Sequence, residues 1–283
     1  MSSELRRWHR RSTVAILVLA VASSLVGLLR PGHYRAPADI VLSYQIQDLT
    51  VLLVGVPVLA VGLWFAARGS PRGRLVWLGG MAFMTYMWAS VAVQIPYNEL
   101  FLVYVALFGL SLFTFVGGMW STDPAAIRRR LEGRVDPRLY AGALFVVGLG
   151  LAALWLSDVL PPLLQGTTPT IVEESGPQAL TSHVLDLGVV VPSILLAAAW
   201  LYRRRTWGYV LAGVVLILGA TLAAPIGLMT LVLLTGETVT VSPVAAFFTF
   251  LPIVVSALLA VTYVRAMGRA GATPGDSEGV QST

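Results

Sequence analysis

The chain has no cysteine and no lysine, and only 12% of its 283 residues are charged. Without cysteine there are no disulfides, thiolate metal sites, iron–sulfur clusters or sulfur nucleophiles. Without lysine there is no Schiff base of the retinal kind. All 19 basic residues are arginine, which reads as the coding bias of a GC-rich genome. Also missing are a phosphate loop, the GxSxG and HExxH motifs, and histidines paired at haem spacing. Those absences exclude ATP-driven transport by this chain alone, kinase signalling and haem electron transfer across a membrane. No ligand spacing implies a metal or a cofactor, and nothing marks a nucleic-acid partner.

Charge is too scarce for a water-soluble fold, which carries roughly 25% charged residues. Hydrophobic residues make up 57% and mean hydropathy is +0.79, so the implied solvent is lipid. A spanning helix needs about 20 apolar residues to cross about 30 Å of hydrocarbon. Eight segments qualify: 13–29, 49–67, 75–95, 100–119, 139–160, 183–202, 209–234 and 244–267. The expected fold is an all-α, polytopic integral membrane helix bundle of about eight transmembrane helices.

Short loops on the cytoplasmic side carry the excess of arginine. Numbered from the amino terminus, alternate connections collect 17 arginines against six carboxylates on one side, and two arginines against eight carboxylates on the other. This alternation predicts both termini in the cytoplasm and an inner (plasma) membrane location. The expected organisation is a cytoplasmic Arg-rich segment 1–12, a first transmembrane half 13–119, and a cytoplasmic loop 120–138 with an interfacial helix. A second half 139–267 and a disordered tail 268–283 follow. The first span reads as uncleaved: its apolar run is long for a signal peptide and ends Leu28-Leu29-Arg30 without a small-x-small site.

The two halves show a parallel 4+4 internal repeat. Gln47-Asp48-Leu49, Pro57, Trp64 and an arginine turn match Leu185-Asp186-Leu187, Pro192, Trp200 and a second arginine turn. The competing explanation is that acid, apolar helix, tryptophan and arginine describe any span running from outside to inside.

Ionisable groups beside spans are the candidates for function, because burying charge in lipid is expensive. Asp48, Asp158, His183 and Asp186 all fall near the outer face, and Tyr104 is positioned to join them with Tyr44, Gln47, Tyr97 and Asn98. The alternative role for Asp48, Glu99 and Asp186 is capping, since each opens a predicted helix where carboxylates meet the positive dipole end. Asp158 instead closes its predicted helix and needs a cationic partner. Arg30, one of two outer arginines, is the expected one. Met81, Met84 and Met87 suit packing better than a copper path. The loop 161–182 is long enough to cover an outer site.

These residues support a secondary transporter or permease with an outward-facing polar site for a small solute or ion. Two other readings remain: a non-catalytic membrane subunit or sensor with a membrane protein partner, and a membrane-embedded enzyme acting on a lipid-linked or periplasmic substrate. The lipid bilayer is a partner in all three.

Overall fold

In lipid every backbone N–H must find its partner within the segment, so long apolar runs become helices. The computed structural model describes residues 5–235 and 243–268, and they contain helices and no strand. The helices are α1 (Arg7–Leu29), α2 (Ala38–Thr50), α3 (Val56–Ala67), α4 (Pro71–Gln94), α5 (Phe101–Trp120), α6 (Pro124–Leu131), α7 (Pro137–Gln165), α8 (Thr170–Ser175), α9 (Thr181–Leu185), α10 (Val191–Tyr202), α11 (Thr206–Thr235) and α12 (Pro243–Ala266). Seven stretches are long and apolar enough to cross a membrane: Arg7–Leu29, Ile40–Ala67, Pro71–Gln94, Phe101–Trp120, Pro137–Gln165, Pro177–Tyr202 and Thr206–Leu231. The chain is therefore a multi-pass helical membrane protein. The expected eighth span coincides with α12, whose described apolar part, Val254–Ala266, is shorter. Glu237 and the tail beyond Gly268 lie outside the described residues.

Local chemistry sets the helix starts at the arginine-rich end. Ser70 accepts a bond from Gly73 N–H at 3.2 Å, Asp123 from Ala125 and Ala126, and Asp136 from Arg138. In each case proline follows the cap at the first helical position, where its missing N–H has no consequence. A short helix, α6, stands in the loop where an interfacial helix was expected. It tucks Ile127 and Leu131 into the core, while Arg128 pairs with Glu132 at 2.8 Å.

Spans two and six differ from a plain helix in the same way. In each, a five-residue π-helical turn, Val51–Gly55 or Asp186–Val190, leads into Val-Pro and a twelve-residue α-helix. Each of these helices then ends at an arginine, Arg68 or Arg203, followed by a residue of positive φ, Gly69 or Arg204. These elements sit 135 residues apart, as Pro57 does from Pro192. At that offset Asp48 corresponds to His183 and Val51 to Asp186, whereas the motif match from sequence aligns Asp48 with Asp186.

The centre of the bundle is α4, with 72% of its most apolar window buried against 22% for α7. Trp77, Leu78, Phe83 and Trp88 are buried there, and so are Met81, Met84 and Met87, which are packing residues. α4 lies along α11 through small residues: Gly79 meets Ile217, and Gly213 meets Leu75. Elsewhere Gly148 packs against Ile194 and Leu195, whereas Gly219 has open space beside it. Large apolar side chains such as Val18, Leu53, Val93, Leu102 and Phe113 point outward, which suits contact with lipid acyl chains.

Contacts at both ends agree with the alternating charge. At one end Arg10 donates to the Ala67 carbonyl at 2.8 Å, Arg74 to Ser121 at 2.7 Å, and Arg128 lies over the Tyr209 ring. Arg74 is buried and, among the described residues, has no carboxylate partner. Its guanidinium serves the carboxyl end of α5 through Gly118 O, Ser121 and Thr122, where the helix dipole is negative. At the other end gather the carboxylates described next.

Candidate functional site

Asp48 is not a helix cap. The helix that carries it begins at Ala38, so Asp48 lies three turns in, about 15 Å from that start at 1.5 Å per residue. Asp186 likewise lies inside the continuous Pro177–Tyr202 segment, at the head of the π-helical turn. Both carboxylates are buried, at 7% and 6% exposure. The capping expectation for these two acids is overturned because spans two and six run further towards this end than their apolar cores suggested. Beside Glu99, Asn98 Oδ1 accepts from Leu100 N–H at 2.9 Å in the turn ahead of α5, whose own cap position, Leu100, has no side-chain bond.

The first cluster surrounds Asp48. Tyr34, from the α1–α2 connection, donates its phenol proton to Asp48 Oδ2. The Tyr34 hydroxyl also neighbours the Tyr104 hydroxyl on α5. Tyr104 in turn pairs with His33 Nε2 at 2.9 Å, and His33 Nδ1 with Glu99 Oε1 at 3.2 Å. Arg30 closes the series on Glu99 at 2.5 Å. Packing holds the aromatic members, since Tyr34 contacts the Tyr44 ring and Tyr104 stacks on Trp88. Gly27 of α1 makes room: a Cβ there would strike both Asp48 Oδ2 and the Tyr34 hydroxyl. Burial, then the neighbouring Asp48 carboxylate, drives the Tyr34 phenol far above its ordinary range, so it stays protonated as a donor. Glu99 is held below the usual carboxylate range, first by its own backbone N–H and then by His33 and Arg30.

The second cluster joins α7 to span six. His183 Nε2 meets Asp158 Oδ2 at 3.3 Å, and Trp155 Nε1 donates to Asp186 Oδ2 at 2.8 Å. The Tyr86 hydroxyl of α4 lies beside the Asp186 carboxylate. The His183 and Trp155 rings lie 4.2 Å apart.

Arg30 and Asp158 therefore do not pair. Arg30 belongs to the first cluster and Asp158 to the second, where His183 is its partner. The argument for an arginine partner also loses its premise, because α7 continues through Pro161 and Pro162 to Gln165 and ends at the left-handed Gly166. Asp158 is thus well inside its helix. The expected 161–182 loop is itself largely helical, with α8 and a tight turn at Pro177–Leu180.

A cleft of about 200 Å³ adjoins both clusters and is lined by Ile40, Ser43, Tyr44, Gln94, Gln178 and Ser182. Tyr44 touches Tyr34, and Ser182 precedes His183. Tyr97, expected to join the site, is 78% exposed and stands apart. Among the described residues no three His, Asp or Glu side chains gather in a form that could hold a metal ion.

Sequence reasoning missed His33, Tyr34, Tyr86 and Trp155. Trp155 was within reach, because it stands one helical turn before Asp158 and shares its face. His33 and Tyr34 lie in a Pro- and Gly-bounded connection, whose route back across the bundle no periodicity reveals. No family model, curated protein or solved structure significantly matches this chain, so its chemistry must be read from its own residues.

Proposed function

We propose that the chain is a secondary transporter or permease of the inner (plasma) membrane, with cytoplasmic termini and a polar site that opens to the outside. The carrying observation is that buried carboxylates sit towards the arginine-poor end of two spans, each interrupted by a π-helical turn and a proline. Interrupted helices free backbone groups and bind solutes or ions in transporters, and duplicated halves are common among them. Charge is worth burying in lipid only where it acts.

A duplication of four spans, with the halves parallel about an axis along the membrane normal, fits the same features. Its support is the shared order of π-turn, Val-Pro, twelve-residue helix, arginine and positive-φ turn. In the structural register Asp48 takes the place of His183, so the halves differ chemically at equivalent positions.

The test is uptake into proteoliposomes of a panel of radiolabelled amino acids, carboxylates, sugars and monovalent cations. Saturable uptake of at least one member, abolished in the Asp48→Asn, Asp186→Asn double variant, is the expected result. Uptake of none above empty liposomes, or uptake indifferent to the double variant, removes the proposal.

A further inference from the structure

We infer that Glu99, His33, Tyr104 and Tyr34 form a relay that carries protons from the outer surface to Asp48, which makes the proton the coupling ion. This rests on the transporter reading and names the ion its outer site would take. Glu99, His33 and Tyr104 form one hydrogen-bonded run, Tyr34 bonds Asp48, and the neighbouring Tyr104 and Tyr34 hydroxyls bring the two together, so that the groups lead from an accessible carboxyl to a buried one. Glu99 has a side chain 40% exposed, and the His33 side chain beside it is fully buried. From there inward every member is buried, with Tyr34 at 8%, Tyr104 at 2% and Asp48 at 7% exposure. From His33 to Asp48 the series is buried, and its side chains bond one another and not a free helix terminus.

The relay balances atom by atom. At the outset a Glu99 carboxyl proton faces His33 Nδ1, and His33 Nε2–H faces the Tyr104 oxygen. Tyr104 O–H faces the Tyr34 oxygen, and Tyr34 O–H faces the Asp48 carboxylate. Four transfers in one direction leave Glu99 as carboxylate and His33 protonated on Nδ1 instead of Nε2. Both phenols remain intact and Asp48 becomes a neutral acid. One proton has moved inward, and one negative charge has moved from Asp48 to Glu99. There Arg30, at 2.5 Å, is placed to stabilise it. A neutral Asp48 is the form that a span can move through lipid-like surroundings.

The titratable neighbours of Asp48 are Tyr34, from the connection before α2, and Tyr104, from α5, while Ser24 on α1 offers a neutral hydroxyl. Beyond them lie His33, Glu99 and Arg30. The relay is thus the route the fold provides between Asp48 and the charged outer edge.

The experiment is infrared difference spectroscopy of the full chain in liposomes, following the protonated carboxyl C=O band after a pH step. Asp48→Asn identifies the Asp48 band by removing it. Tyr104→Phe and Tyr34→Phe keep ring and packing but delete the transferring hydroxyl, and helical circular dichroism checks that each folds. In both, the Asp48 band should still appear at equilibrium but form about 100-fold more slowly, the range a positioned proton donor supplies. His33→Gln should slow it likewise. Protonation of Asp48 at the wild-type rate in Tyr104→Phe, or no band lost in Asp48→Asn, would overturn the relay. The readout needs no solute, so failure of solute uptake leaves it standing. Conversely, uptake that is lost in the double variant but insensitive to Tyr104→Phe would keep the transporter and sink the relay.

Discussion

At the scale of single residues, the outer cluster depends on charge states that pH controls. Glu99 lies below its ordinary carboxylate range, so its contacts with His33 and Arg30 favour the folded state above the unfolded value of 4.5 and are lost as pH falls through the lower, folded value. Melting of the protein in detergent should therefore weaken in the acid range below about pH 4.5. Glu99→Gln should flatten that part of the curve and leave neutral pH little changed, because the pair is solvent-exposed and such pairs contribute modestly. A profile for Glu99→Gln that overlays the wild type at every pH would show that the Arg30–Glu99–His33 contact has no energetic weight. Arg74 at the opposite end illustrates the other outcome for a buried ion. Among the described residues it has no carboxylate partner, and the carbonyl and hydroxyl groups at the end of α5 solvate it instead.

At the scale of elements, close approach of helices decides what the carboxylates can touch. α1 passes Asp48 at Gly27, and a methyl group at that position would occupy the space of Asp48 Oδ2 and the Tyr34 hydroxyl. Gly27→Ala should push α1 away or turn the Asp48 side chain, losing roughly 1–3 kcal/mol as overpacking of a core does. The test is thermal melting of the purified protein alongside the Asp48 infrared band. An alanine variant with wild-type melting and an unshifted band would mean that α1 does not confine the site. The π-helical turns before Pro57 and Pro192 belong to the same scale. Each adds a residue to its helix turn, and so re-aims the side chains on either side of it.

At the scale of the whole molecule, the arrangement rests on arginine at one end of a lipid slab and carboxylates at the other. Cysteine is naturally absent, so single cysteines can be introduced without removing any. Cysteines at Arg129 and Gln165 should label from opposite sides of the membrane in intact cells and inverted vesicles. Labelling of both from one side would reverse the membrane topology on which the outer site depends.

Much of this was already present in the sequence. Apolar run length and the absence of alternative partners for the backbone in lipid dictate helices, and the Ser-Pro and Asp-Pro pairs before α4, α6 and α7 dictate where three of them start. The placing of arginine dictates which ends lie together. The site divides differently. Asp48, Asp158, His183, Asp186, Arg30 and Tyr104 were all legible as polar groups beside spans, yet their partners were not. Arg30 chose Glu99 over Asp158, and Tyr34 and His33 reached back from a connection. Hydropathy reports how deep in a membrane a residue can sit, but it does not record the angle of one helix about its axis relative to the next. That angle is fixed by packing at positions such as Gly27, Gly79 and Gly213, so only the tertiary structure determined which acid met which base.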